Sequence, residues 1–334
     1  MWELRNSNLI FHYAGLEIYW VMPEGFLMPC DSVLSLAEFL LLRPFGKRVS
    51  VVPRRSAVGN RVGVAFSGGV DSSAALRLVE NPVAIYTQVA NPSGMHKIEN
   101  ALMATQSVNG LCIVSNYDVL AVHFGKRRGF YGQAGWVITG VLLSDFLGLN
   151  VLCDGNIVDF AYLRSSFGHG PKYTVHDYSE VMGAFSSVGL SYAMPCAGLS
   201  EVSTTKIAAG APYAMGCMRG VKGEPCLKCM KCYRKMAIQG SPIETNSEAE
   251  KILSNEWIPV LGAFLWARDN CGLSNPRLNG ISKDIDWVDK WYAASSFFIP
   301  VTIRDYFYAS LDSFGIEVLS NDACLHTWSS NVAC

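Results

Sequence analysis

Cys217, Cys226, Cys229 and Cys232 stand as C-x8-C-x2-C-x2-C. Two-residue gaps let the chain turn back and present both sulfurs at about 2.3 Å from one tetrahedral zinc. With four protein sulfurs no position is left for water, so such a zinc is structural. A sulfur-only set also suits an iron–sulfur centre or free thiols. Arg219, Lys222, Lys228, Lys231, Arg234 and Lys235 flank the cysteines, against only Glu224. They either offset the charge of four thiolates or touch a polyanion, and the near-neutral chain favours the first.

A second constellation is Ser67-Gly68-Gly69-Val70-Asp71-Ser72-Ser73, between the apolar run Val62 to Phe66 and a helical stretch. Adjacent glycines let the backbone turn tightly, and the amides at the start of the helix point at the same spot. The serines add hydroxyl donors, so the loop suits a phosphate or pyrophosphate. It matches neither the G-x4-G-K-[ST] loop nor G-x-G-x-x-G, and it contains no lysine. An acid in an anion site makes sense if Asp71 holds magnesium bridging the phosphates. The plainer reading is a strand-to-helix turn in which Asp71 or Ser72 caps the helix.

The elements that must position these residues follow from apolar periodicity. From Arg61 onward, short apolar strands (Val62 to Phe66, Val83 to Val89, Leu111 to Val114, Asn150 to Cys153, Tyr192 to Met194) alternate with helices (Ser72 to Glu80, Met95 to Val108, Phe130 to Leu147, Tyr178 to Val188). That alternation predicts an α/β fold with a doubly wound parallel sheet, whose ligands bind beyond the carboxyl ends of the strands. Residues 1–60 read as a small strand-rich extension with one helix, Ser32 to Leu42, and a basic connector. Residues 61–241 form the nucleotide-binding domain with the cysteine segment. Residues 242–334 form a helical, aromatic C-terminal region.

The 334 residues carry 27 basic and 28 acidic side chains, a net charge of -1, which argues against a dedicated nucleic-acid binder. Half are hydrophobic and only 16% charged, so the chain buries a large core and some surface against a partner, a second copy or another protein. Ala134 to Cys153 is the most lipid-like stretch, but Asp145 and Asn150 make it a buried helix and strand rather than a span. The start of the chain lacks the order of a signal peptide, and cysteines clustered for metal suit a reducing compartment, so a cytoplasmic protein is expected.

The loop resembles the pyrophosphate-binding PP-loop of the ATP pyrophosphatase superfamily, whose members cleave ATP between the α and β phosphates. Together with the cysteine spacing, it is similar to 7-cyano-7-deazaguanine synthase over roughly Arg61 to Gln239. The resemblance implies an adenine nucleotide alpha hydrolase-like fold, with ATP and magnesium held by Ser67, Gly68, Gly69, Val70, Asp71, Ser72 and Ser73. It implies zinc on the four cysteines. The activity implied is a C–N ligase that adenylates 7-carboxy-7-deazaguanine, amidates it with ammonia, and dehydrates the amide to the nitrile with a second ATP. Asp71 and Ser72 would be catalytic, joined by Lys206 from a lysine-bearing helix after Pro195. A proline-glycine-arginine-asparagine motif corresponds to Phe124-Gly125-Lys126-Arg127-Arg128, which keeps a base, Arg127, but not the asparagine. The acidic substrate-facing loop corresponds to Asp154-Gly155-Asn156-Ile157-Val158-Asp159 without the usual aromatic-glycine pair. Asp154 and Asp159 would meet the ring donors of a deazaguanine, although an aspartate after a strand also serves as a helix cap.

His96 reads as solvent-facing, Cys112 and Cys153 as strand packing, and His123 and His169 have no assigned role. Three other functions stay open: conjugation of the deazaguanine acyl group to an amine of a partner protein, tRNA thiolation with reactive cysteines near the ATP, and a non-catalytic nucleotide-binding assembly protein.

Overall fold

The computed structural model describes residues 1–54, 56, 59–90, 98–126, 135–163, 175–215, 217, 219–241, 244, 246–320, 325, 328 and 330–332, with side chains described from 178 in the stretch that begins at 175. Alternating apolar residues in the first 21 residues build three antiparallel strands, β1 (Trp2–Arg5), β2 (Asn8–Tyr13) and β3 (Leu16–Val21), followed by helix α1 (Asp31–Leu42). The β/α alternation then gives β4 (Arg61–Ala65), α2 (Val70–Arg77), β5 (Pro82–Val89), α3 (Glu99–Ser107), β6 (Leu111–Ser115) and α4 (Val119–His123). After these come α5 (Ile138–Leu142), α6 (Ser144–Leu147), β7 (Leu149–Cys153), α7 (Val158–Ala161), α8 (Val175–Ser187) and β8 (Ser191–Ala193). The C-terminal half adds α9 (Glu201–Ala208), α10 (Met230–Ile238), α11 (Ser247–Leu253), α12 (Leu261–Cys271), α13 (Pro276–Asn279) and α14 (Val301–Ser313).

The strands lie in one sheet in the order β1-β2-β3-β6-β5-β4-β7-β8. From β6 to β8 the pairing is parallel, and helices cover both faces. The protein is thus an α/β protein with a mostly parallel sheet. Connections run outward from β4 to β5 and β6 on one side and to β7 and β8 on the other. The strand order therefore reverses between β4 and β7, where such sheets open a crevice at their carboxyl ends.

The N-terminal strands extend this sheet rather than stand apart from it. β3 pairs with β6 at Trp20 and Ser115. Asn116 joins them further, accepting from the Tyr19 N–H at 2.8 Å and donating to the Glu17 carbonyl at 3.0 Å. Leu9, Phe11, Ile18 and Trp20 enter the same core as residues of α1, α5 and α8, so burial fixes the register of the meander.

On the other face, Ile303, Phe307 and Leu311 of α14 pack with Val62, Val64, Ala74, Ala75 and Val151. A second core around α12 includes Val158, Val202 and Tyr233 from α7, α9 and α10. The stretch after residue 242 is helical and packs against the parallel-sheet half in both cores.

The expected helix from Phe130 to Leu147 is instead a 3-10 turn at Gly135–Val137 followed by α5 and α6, with residues 130–134 outside the described residues. The β-branched run Val137-Ile138-Thr139 before Gly140 has low helix propensity, and burial rather than propensity holds these turns. Among the described residues, no helix is long and apolar enough to cross a membrane.

Candidate nucleotide and metal site

The loop after β4 sits where the strand order reverses. Ser67 is half-buried, Gly68 has φ +68°, and Gly69 leads into α2 in an extended conformation with no side-chain cap. Asp71 and Ser72 do not cap this helix, so its first amides, which have no intrahelical acceptor, have no side-chain cap either. Ser72 holds the turn: its Oγ accepts from the Ser67 N–H at 3.2 Å and donates to the Gly69 carbonyl at 3.0 Å. The Ser67 and Ser72 hydroxyls lie 3.3 Å apart. A Cβ on Gly68 would lie 2.4 Å from the Cβ of Ala104 on α3, so only glycine permits this approach.

Asp71 is fixed by α9, whose Thr204 Oγ1 donates to Asp71 Oδ1 at 2.7 Å. The loop after β7 presses against the same helix start, because a Cβ on Gly155 would lie 2.7 Å from the Asp71 carbonyl carbon. Asp154, before that glycine, is turned inward. Its carboxylate accepts from the Asn156 backbone at 3.1 Å, the Asn156 side chain at 2.8 Å and the Tyr192 hydroxyl at 2.5 Å. Burial pushes the Asp154 carboxyl up to about 6, opposed by the hydrogen bonds of Tyr192 and Asn156. Asp154 therefore fastens the loop, and its oxygens are spent there rather than offered to a substrate.

Asp159, in the first turn of α7, joins a buried group of charges. Burial, with the charges of Glu201 and Asp71, pushes its carboxyl up to about 7, against the pull of Arg234. Glu201 pairs with Arg234 at 2.5 Å and Lys235 at 3.1 Å. Burial alone would raise the Glu201 carboxyl, but Arg234, Lys235 and Lys231 outweigh it and hold it at about 2. Asp159 Oδ2, Ser73 Oγ, Arg234 Nε and Lys235 Nζ are buried and make no hydrogen bond. Such orphans are expensive in an interior and are expected where a ligand completes them.

Arg234 and Lys235 thus serve Glu201, not the cysteines they follow in sequence. The reason is helical geometry: Met230, Tyr233, Ala237 and Ile238 of α10 enter the core around α12, and the next positions round the helix turn to α9. Lys206 is corrected in the same way. It stands two residues, about 200°, beyond Thr204 on α9, so its ammonium lies outward, 3.2 Å from Asp289 and over the Trp266 ring. It does not face the loop. No sequence signal separated these lysines, because the face presented by α9 depends on its packing against α2. Thr204 and Glu201 were missed for the same reason.

The four cysteines converge. Their Sγ atoms all lie within 4.8 Å of one another, with separations of 3.5 to 3.8 Å between neighbouring thiols in contact. A tetrahedron with bonds of about 2.3 Å has edges of about 3.8 Å, so the cluster can hold a metal ion. Cys229 caps α10, its sulfur accepting from the Cys232 N–H at 3.4 Å. The Cys232 thiol first, then that N–H, hold the Cys229 thiol down at about 4. Arg219 donates its backbone N–H to Cys217 Sγ at 3.3 Å and pairs through its side chain with Glu248 at 2.7 Å.

The cluster is bound to the loop through α3. Asn100 is buried and donates to the carbonyls of Cys217 and Glu224 while accepting from the Gly223 N–H at 2.9 Å. The Met215 N–H donates to the Gly68 carbonyl at 2.8 Å.

Cys153 is fully buried and burial pushes its thiol up; Cys112 lies on another strand, 3.6 Å from Gln88 Oε1. They form no reactive pair. His123 stands edge-on to the Phe124 ring. Arg127, Arg128, His96 and His169 lie outside the described residues.

A family model described as a family of unknown function, DUF6395, matches residues 180–260, from α8 through the cysteine segment and α10 to α11. No curated protein matches the chain.

Proposed function

We propose that the chain is an ATP-dependent C–N ligase of the PP-loop type, with an adenine nucleotide alpha hydrolase-like core and chemistry like that of 7-cyano-7-deazaguanine synthase. The observation that carries this reading is the Ser67–Ser73 turn at the reversal of strand order, with Asp71 held by Thr204 of α9, the helix whose Glu201 pairs with the buried Arg234 and Lys235. In this reading the loop amides, with Ser67 and Ser73, cradle the β and γ phosphates, and Asp71 holds magnesium, which supplies charge to the leaving pyrophosphate. The cysteines hold a structural zinc that fixes the start of α10.

The carboxylate of a 7-carboxy-7-deazaguanine attacks the α-phosphorus, and the bond to the β-bridging oxygen breaks to release pyrophosphate. Ammonia then attacks the acyl carbon, and AMP leaves to give the amide. A second ATP activates the amide oxygen, whose departure with AMP and loss of the nitrogen protons leave the nitrile. Ammonia is favoured over a partner-protein amine because residues 1–43 and 242–334 place most of their large apolar side chains in the chain's own cores. A thiolating role is disfavoured by the burial of Cys153 and by the balanced charge.

The test supplies ATP, magnesium, ammonium and 7-carboxy-7-deazaguanine, and follows AMP, pyrophosphate and the nitrile by mass. AMP and nitrile together are the expected outcome. AMP only on adding a partner protein, with acyl-deazaguanine mass on that protein, replaces ammonia by conjugation. No AMP under any of these conditions refutes the ligase reading.

A further inference from the structure

The proposed phosphate loop has no lysine, and Lys206 is turned away from it, so the charge of a bound polyphosphate must be met from elsewhere. We propose that Lys235 is the phosphate-binding cation of this site, delivered by the helix that the cysteine cluster starts and steered by Glu201. This rests on the reading that a nucleotide occupies the Ser67–Ser73 loop.

Lys235 is 6% exposed and lies on α10, three residues after Cys232. Its Nζ is 3.1 Å from Glu201 Oε1, yet neither atom makes a hydrogen bond. An ammonium has three donors, and the ion pair with Glu201 engages at most one of them, so at least two are unspent in the interior. A buried ion pair without hydrogen bonds repays little of its desolvation cost. The neighbouring arginine already answers Glu201, since Arg234 pairs with its other oxygen at 2.5 Å. Lys235 therefore shares Glu201 with Arg234, and the donors it does not turn to that acid await an acceptor.

Its position points to which acceptor. After Glu201, the acid that acts most strongly on the Lys235 ammonium is Asp71 of the phosphate loop. Asp71 Oδ1 is occupied by Thr204 of α9, the helix that also carries Glu201. Glu201 and Thr204 stand three residues apart on one side of α9, so Lys235, paired with Glu201, and Asp71, bonded to Thr204, meet the same side of that helix, and an anion brought to the loop supplies the missing oxygens. Arg234, tied to Glu201, keeps the pair's acid in place. Glu201 is a positioning residue in this scheme, acting on the phosphate only through Lys235.

The test uses full-length, metal-loaded protein and calorimetric titration with magnesium-ATP, inorganic pyrophosphate and adenosine. Lys235→Met should weaken ATP and pyrophosphate at least tenfold, leave adenosine unchanged and keep the metal, while Lys235→Arg should restore part of the phosphate affinity. A merely structural lysine would not separate pyrophosphate from adenosine. Should Lys235→Met lose its fold or metal, Lys235→Gln, which keeps a donor for Glu201 and leaves Arg234 paired, is read by the same criteria. Wild-type affinity for ATP and pyrophosphate in the folded variant overturns the assignment of Lys235 and leaves the nucleotide site standing. Wild-type protein that binds neither ATP nor pyrophosphate overturns both.

Discussion

Thr204 on α9 donates a 2.7 Å hydrogen bond to Asp71 on α2, and this bond fixes one carboxylate oxygen of the acid in the first turn after Gly69. The bond crosses 133 positions of sequence, which makes the orientation of Asp71 a property of helix packing.

Asp71→Ala should lower ATP-dependent AMP formation by about a thousandfold, the several kcal/mol expected of a group that supports charge on a leaving phosphate. Thr204→Val should cost about tenfold, the scale of one hydrogen bond to a charged group. Release of AMP measured beside the melting temperature checks both, and wild-type turnover in Asp71→Ala would refute the role.

Cys229→Ser removes one sulfur of the cluster and the N-cap of α10. It should abolish metal binding and lower the melting temperature by several degrees, since metal affinity is folding free energy in such sites. Elemental analysis should find one zinc per wild-type chain and none in the variant. Iron in the wild-type protein would overturn zinc.

Gly68→Ala places a Cβ 2.4 Å from the Ala104 Cβ at a φ of +68°. Left-handed strain and overpacking together should cost about 2–4 kcal/mol of stability. Urea denaturation reads that loss, and an unchanged midpoint would show that α3 yields.

Asp159 has a carboxyl raised to about 7, against 3.8 when unperturbed. The folded state therefore holds a proton that the unfolded chain gives up. Its contribution to stability is complete below about pH 4 and is lost as pH rises to about 7. Glu201, held at about 2, works in the opposite sense, and its contribution disappears only as pH falls towards 2. Asp159→Asn should flatten the decline between pH 4 and 7 and leave the protein about 2–4 kcal/mol more stable than wild type at pH 8. Denaturation midpoints at pH 5 and pH 8 decide it. An equal wild-type decline in the variant would assign the pH dependence elsewhere.

The alternation of apolar runs and helices determined the five parallel strands, because a strand buried on both faces must be apolar along its length. Spacing likewise brought Cys226, Cys229 and Cys232 together, since two-residue gaps close locally. The meander of β1 to β3 was legible as strands, but its addition to the sheet was not: a single pairing at Trp20 and Ser115 and the side chain of Asn116 decide it.

The site divides along the same line. The residues contiguous in sequence, Ser67 to Ser73 and the cysteines, were readable because their geometry is local. Which of Lys206 and Lys235 turns into the interior was decided only by the tertiary structure, which sets Lys235 against the buried Glu201 and Lys206 against the outward Asp289. Both are lysines on short amphipathic helices, and the direction of each depends on which apolar stripe packs first: Met230, Tyr233 and Ala237 against α12 turn Lys235 inward, and Thr204 against Asp71 turns Lys206 out. Asp154 and Asp159 show the same dependence. Each follows the same strand, yet Tyr192 and Asn156 claim the first, while Glu201 and Arg234 surround the second.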